Sequence, residues 1–401
     1  MGKLSKEERI SLLLLIIASL FDGITQGILV LQETIARKAL FATDFQISLI
    51  GVLANGTMIF SFFISYFFAN KNKKFLIIFG YLIGRAIFLF SFLITNSKIF
   101  LIFLFFFHGL FSIQVPVFNS FLHTKFKGNR GYVFGITRMI LILFIMITST
   151  IVGKILEISP SSYKKILMFI SLPSFLTYSI YLILESKNSY TIQQIPSFKG
   201  LISGVNKIFQ NTDFIFFEIA FMVYGFAFMF MVPAVPIYLL KKMNFSYSQM
   251  SFVQGILSQI VILFITPFVG RLYDKINVWK VGTFSFLSLV LYPLFFALSS
   301  IFKSSLFVYP AFLAYSLGLS GVNVLWNVGS ITFSKYEGNS FLYQGFHVSL
   351  TGIRGIIGPL LGYLILSSMG LIWNFIFSII LFAAAAMINF LYSKKAKIVK
   401  S

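Results

Sequence analysis

The sequence has no cysteine in its 401 residues. Disulfide frameworks, thiolate metal sites and a cysteine nucleophile are therefore excluded. Histidine is nearly missing too. The three present, His108, His123 and His347, are too scattered to announce a metal site. Charged residues make up 11% of the chain, under half the roughly 25% of a soluble domain. Acidic residues are the scarcer sign, 11 against 32 basic. Also absent are a Gly-x-x-x-x-Gly-Lys-Ser/Thr phosphate loop, a His-Glu-x-x-His pair and a Gly-x-Ser-x-Gly elbow. An intrinsic ATPase, a zincin-type protease and a serine hydrolase lose their signatures with them. No catalytic residues, cofactor or metal are expected.

What is present is apolar. Hydrophobic residues make up 58% of the chain, with 53 phenylalanines, and the mean hydropathy is +0.91. A soluble chain of this length needs more polar surface than that. A helix crosses a bilayer with about 20 apolar residues. Twelve such stretches are read, at 10–34, 46–69, 75–95, 98–123, 131–153, 165–184, 213–240, 248–270, 279–301, 304–333, 341–366 and 370–392. The first is too long for a signal-peptide core and lacks a small-residue cleavage site, so it reads as a retained helix. The runs are continuous, without the ten-residue alternation of barrel strands.

The net charge of +21 would suggest nucleic acid in a soluble protein. Its distribution points elsewhere. With the N-terminus cytoplasmic, twenty Lys and Arg fall in cytoplasmic segments, nine in the opposite loops and three, Arg85, Arg138 and Arg354, inside spans. That bias places both termini in the cytoplasm, and an even number of spans requires them on one side. The longest connection, 185–212, divides the chain into residues 1–184 and 213–401. A surface helix at Phe198–Phe209 and a plain linker both fit it.

The two parts resemble each other weakly, as internal repeats do. An offset of 202 brings Asp22-Gly23 onto Tyr224-Gly225. An offset of 204 aligns Gly51 with Gly255, Asn55 with Gln259 and Asn70 with Asp274. An offset of 209 aligns Gly109 with Gly318, Gln114 with Asn323, Arg138 with His347 and Gly153 with Gly362.

Gly270-Arg271-Leu272-Tyr273-Asp274-Lys275 follows the eighth stretch. It resembles the loop signature Gly-x-x-x-Asp-Arg/Lys-x-Gly-Arg-Arg/Lys of the major facilitator superfamily. Asn277 and Val278 replace the later Gly-Arg, and the first-half copy at 66–74 has Asn70 for the Asp. Arg130-Gly131-Tyr132-Val133-Phe134-Gly135 adds to the resemblance. Gly358-Pro359-Leu360-Leu361-Gly362 looks like the family's antiporter Gly-Pro-x-x-Gly, displaced from the fifth span to the eleventh. The resemblance implies an all-α membrane protein of two pseudo-symmetric six-helix bundles and a secondary transporter working by alternating access. It makes Gly270, Arg271, Asp274 and Lys275 a gating latch, and spans 1, 4, 7 and 10 the cavity lining.

An ionisable group at membrane depth costs at least about 2.5–3.5 kcal/mol, so each needs a reason. Asp22, with Gln26 one turn on, is read as cavity-lining, proton-carrying or paired with Arg85, Arg138 or Arg354. Glu218 either titrates or sits at an interface. His108 and His347 either switch near neutral pH or pack. Arg138 and Arg354 are gating candidates; Arg354 lies between Gly352 and Gly355. Gln114 and Asn119, with Asn323, Trp326 and Asn327, can bind and stack a polar solute. Two acids against three arginines favour a neutral or anionic solute. The expected partners are the lipid bilayer, a small solute and protons, with no nucleic acid and a monomeric state. The alternatives at this point are an efflux antiporter of the same fold, a lipid-modifying membrane enzyme and a transporter-like sensor.

Overall fold

The computed structural model describes residues 4–61, 63, 73–126, 130–186, 198–273, 275–333 and 337–395. Among them every regular element is helical. Twelve helical stretches follow one another: α1 (Lys6–Lys38), α2 (Asp44–Phe60), α3 (Lys74–Leu93), α4 (Ser97–Lys125), α5 (Arg130–Ile158), α6 (Pro160–Ser186), α7 (Thr212–Lys242), α8 (Tyr247–Tyr273), α9 (Val278–Phe302), α10 (Ser305–Asn327), α11 (Glu337–Ser368) and α12 (Leu371–Lys395). Ten of these contain segments long and apolar enough to cross a bilayer, and α2 and the Ser97–Gly109 part of α4 are shorter apolar helices. Their order matches the twelve stretches of the sequence. A separate helix, Phe198–Phe209, precedes α7. Much of the connection before it lies outside the described residues.

Several helix ends carry side-chain caps that satisfy their first backbone N–H groups. Ser5 and Glu8 form a capping box on α1, and Ser246 and Gln249 form one on α8. Asn211 caps α7, accepting from the Phe214 N–H, and also donates to the Phe333 carbonyl at 2.9 Å. Asn277, which departs from the loop signature, caps α9 through the Trp279 N–H at 2.9 Å. The departure thus has a local use: Asn is a strong N-cap residue.

By backbone contact the chain forms two units. The first comprises Met1–Gln46, Phe67–Gln194 and Phe245–Gly255, and the second Ile47–Tyr66, Ile195–Asn244 and Ile256–Ser401. Each holds a helix start or body from the other part of the sequence, and glycines permit both insertions. In the first unit, a Cβ on Gly255 of α8 would collide with Ser149 of α5. In the second, a Cβ on Gly51 of α2 would collide with Val232 of α7. These two glycines are the pair aligned by the repeat.

The second unit shows the closest backbone approach. Gly352 and Gly355 of α11 lie on α2: a Cβ on Gly355 would come within 2.6 Å of the Asn55 carbonyl carbon, and one on Gly352 would overlap the Ile59 backbone. Ser349 on the same face donates to the Ile59 carbonyl at 3.2 Å. Small residues let helix backbones touch where lipid supplies no hydrophobic drive. Gly358 and Gly362 pack in the same way on Met229 and Phe230 of α7. The antiporter-like Gly-Pro-x-x-Gly is therefore a packing element here.

Not every basic residue counted as cytoplasmic is solvated. Lys73, just before α3, is buried. Its N–H donates to the Glu185 carboxylate of α6 at 2.5 Å. Burial pushes the Lys73 ammonium pKa below its usual value, and Glu185 opposes that shift.

Gly352→Val is expected to destabilise the protein by about 1–3 kcal/mol, the usual cost of overpacking. Thermal melting of the detergent-purified protein reads this. An unchanged midpoint would mean that α2 and α11 can separate without cost.

Candidate functional site

The first unit gathers polar groups around Asp22 of α1, which is 6% exposed. Gln26, one turn on, donates to the Asp22 carboxylate at 2.8 Å. Gln114 of α4 lies beside the carboxylate and accepts from Arg85 at 3.0 Å. Arg85, 1% exposed, sits where α3 changes from α-helix to 3₁₀-helix. Its guanidinium lies 3.5 Å over the Phe107 ring, a cation–π contact strengthened by desolvation. Arg138 of α5 is exposed, and its charge also acts on Asp22. The expected pairing of Asp22 with an arginine thus takes the form of a network: one carboxylate, two amides and two guanidinium groups. Gly23 makes room for it on one side, since a Cβ there would come within 2.6 Å of the Leu141 carbonyl of α5.

Nearer the other end of α1, His108 of α4 and Gln32 lie 3.0 Å apart. Gln32 Oε1 can only accept, so His108 Nε2 donates. Gln32 in turn donates to Glu33 at 3.2 Å. The sequence reading missed Glu33. It stands near the end of the first apolar stretch, 10–34, after a helix interruption at Val30-Leu31, and is not among the two acids read at membrane depth. The signal was there: two polar residues followed by a helix-compatible Thr-Ile-Ala.

The second unit holds a more compact cluster. Glu218 of α7 and His347 of α11 are 4% and 1% exposed. His347 Nδ1 lies 2.9 Å and 3.1 Å from the two Glu218 carboxylate oxygens. The Thr351 hydroxyl donates to the His347 carbonyl at 3.2 Å. Arg354 donates through Nη2 to Thr351 Oγ1 at 3.2 Å and through Nη1 to the Phe221 carbonyl. Its guanidinium lies 5.5 Å from the Tyr224 ring, and Glu218 acts on its charge. Positions 347, 351 and 354 share one face of α11, as helical spacing requires. That face turns toward α7, while Gly352 and Gly355 face α2. Gly225 of α7 is what admits the arginine, because any Cβ there would overlap the Arg354 side chain. The sequence placed the flanking glycines beside Arg354, but the glycine that seats the guanidinium is on another helix.

An aromatic wall encloses this pair. Phe221 lies 4.8 Å from the His347 ring by centroids, Phe217 5.9 Å and Trp326 6.2 Å. Trp326 of α10 is half-buried. Its indole N–H reaches Thr351 Oγ1 at 3.4 Å, and its carbonyl accepts from Gln344 at 3.1 Å. It opens a π-helical turn, Leu325–Gly329, a distortion often found at functional sites. Asn327 uses its amide on the Asn323 carbonyl at 2.7 Å, so only part of its hydrogen-bonding capacity remains for a solute.

Other expected residues are not brought into either cluster. Gly270 is half-buried, and among the described residues a Cβ there would meet nothing within 4 Å. Arg271 and Lys275 are exposed. Asp274, Asn70 and the side chain of Asn119 lie outside the described residues. Among the described residues no three metal-ligating side chains converge.

Asp22→Asn removes the carboxylate that accepts from Gln26 and whose charge acts with Arg85 and Arg138. The expected loss is about 1.5–3 kcal/mol, the usual worth of a hydrogen bond to a charged group. It would appear as a lower melting midpoint of the purified protein. A midpoint within error of wild type would rule out this compensating role.

The chain resembles several solved membrane transporters. It covers 96% of itself and 100% of the nucleoside transporter NupG at 14% identity, with a TM-score of 0.71. A POT family transporter in complex with a thioalcohol-conjugated peptide gives 12% identity, a TM-score of 0.73 and 96% coverage of both chains. A bacterial homologue of the human lysosomal transporter Spinster, inward-facing and unoccupied, gives 12% identity, a TM-score of 0.65 and 98% coverage of both. These likenesses show the fold. No curated protein sequence matches the chain. The sequence model of the Major Facilitator Superfamily matches residues 12–353. With twelve apolar helices in that fold and buried ionic clusters between them, the chain is a multi-pass membrane transporter rather than an enzyme, and it belongs to the Major Facilitator Superfamily.

Proposed function

We propose that the protein is a monomeric secondary transporter that moves a small organic solute across the cytoplasmic membrane, driven by protons. Residues 1–184 and 213–401 act as the two six-helix bundles, with both termini in the cytoplasm. The solute site and the proton site alternate their access as the bundles rock.

The observation that carries this reading is the Glu218–His347 pair. An acid and an imidazole 2.9 Å apart, both buried within membrane helices, are costly to place in an apolar interior. They are well suited to holding and releasing a proton. Arg354 in the same cluster supplies a fixed positive charge whose balance depends on that proton. The half-buried Trp326 and the amides of Asn323 and Asn327 give the solute a ring surface and hydrogen-bond partners, in keeping with small organic cargo. Two of the similar structures carry the words nucleoside and peptide in their descriptions, which supports the same size class. In the first unit, Gln114 accepts from Arg85 and Gln26 donates to Asp22, which keeps that set of polar groups together. The loop residues Gly270, Arg271, Asp274 and Lys275 act as the cytoplasmic latch.

A thermal-shift screen across sugars, amino acids, nucleosides and carboxylates identifies the ligand. In proteoliposomes, a pH gradient should then accelerate its movement, and a protonophore should abolish the acceleration. Glu218→Gln is expected to keep ligand binding and lose the response to the gradient. Gradient-driven uptake by that variant at the wild-type rate would remove Glu218 from the proton path.

A further inference from the structure

We propose that Nε2 of His347 is the proton-accepting atom, and that once protonated it donates to a monoanionic oxyacid group of the solute, so that one proton and one negative charge occupy the site together. The inference rests on the proton-coupled reading above and deepens it by naming the atom and the class of cargo.

The tautomer follows from the partners. Both Glu218 oxygens face Nδ1, at 2.9 and 3.1 Å, and an ionised carboxylate can only accept. Nδ1 must therefore carry the hydrogen, and the neutral ring leaves Nε2 as a bare lone pair. Among the described residues that lone pair has no partner, although it is buried. Native proteins seldom leave such an atom unsatisfied, and each exception asks for a reason. The same is true of the Arg354 Nε–H, also buried and without a partner. Both orphans project from α11, two turns apart. A proton from water on Nε2 turns the lone pair into a second N–H donor. Two unfilled donors then stand on one helix, which is a demand for acceptor oxygens.

Charge gives the same answer. Glu218 as carboxylate and Arg354 as guanidinium balance when His347 is neutral. Protonation leaves one positive charge in excess. Among the described residues the groups around the pair offer no second anion. α7 contributes Tyr224, and its Asp213 is bound by Tyr392 of α12 at 2.7 Å. α9 contributes Trp279, α10 Trp326 with Tyr315 further along, and α11 Tyr343. α2 meets α11 through Asn55 and the Ile59 backbone. A solute oxyanion restores neutrality, and the linkage is reciprocal: each ligand raises the affinity of the other by the same factor. Trp326 closes this face by holding Thr351 and Gln344. Its π-helical turn is the adjacent backbone able to rearrange when the site opens.

Calorimetry on the wild-type protein tests this without relying on a variant that must fold. The probes are lactate and benzoate, dimethyl phosphate (monoanionic throughout this pH range), and the neutral amides lactamide and benzamide. Titration in two buffers of different ionisation enthalpy gives the protons taken up per ligand. We expect a carboxylate or the phosphate ester to bind up to about a hundredfold tighter at pH 6 than at pH 8, the change that uptake of one proton per ligand gives over two pH units and within the range of coupled sites, with about one proton taken up. The amides should not bind. Which anion binds identifies the oxyacid. His347→Gln should reduce the pH effect to less than twofold. Binding of the amides alone, anion binding without proton uptake, or no binding by any anion overturns the inference. In vesicles, a pH gradient that drives only neutral solutes leaves the proton-coupled reading standing and rejects this one. A gradient that drives no solute of any charge rejects the proton-coupled reading itself.

Discussion

A charge inside a membrane protein has no water to fall back on, and this constraint orders the whole molecule. Each guanidinium must find acceptors, a counter-charge or an aromatic face, and each carboxylate must find donors. Arg354 is held by a carbonyl of α7, a hydroxyl of α11 and the Tyr224 ring. Arg85 has Gln114 and the Phe107 ring. Neither can be accommodated without close helix approach. Gly225 and Gly23 are therefore as much a part of the polar clusters as the charged groups themselves. Among the described residues a few buried polar atoms stay unfilled, His347 Nε2 and Arg354 Nε of α11 among them.

The repeat gives both units one frame with different chemistry. Gly23 and Gly225 sit at aligned positions on α1 and α7. Each faces the fifth helix of its half, α5 or α11. Arg138 and His347, also aligned, project from those same two helices. In the first unit the frame carries a carboxylate shared by arginines and amides. In the second it carries an acid–imidazole pair. Among the described residues each set keeps an unfilled buried nitrogen, Arg85 Nη1 in the first unit and His347 Nε2 in the second.

The phenylalanines have a division of labour that composition alone concealed. Many face outward, as Phe105, Phe268 and Phe284 do. Others build a continuous ring lattice through Phe214, Phe217, Phe221, Tyr224 and Phe286. That lattice surrounds Glu218 and His347.

The sequence by itself determined the number and order of the helices, the membrane setting and the family. Those follow from hydropathy over twenty-residue windows and from a short loop motif, both of which are local. It also marked Asp22, Glu218, His347 and Arg354, because a charge in an apolar run is conspicuous wherever it falls. Only the tertiary structure decided which of them meet. Glu218 and His347 are 129 residues apart, and nothing local announces that α7 and α11 lie side by side at that depth. Glu33 falls inside the first apolar stretch, and only the contact from His108 through Gln32 sets it apart from the end of that span. The glycine that seats Arg354 escaped notice because steric room is a property of two helices together. A sequence shows which groups are expensive to bury; packing alone decides what compensates them.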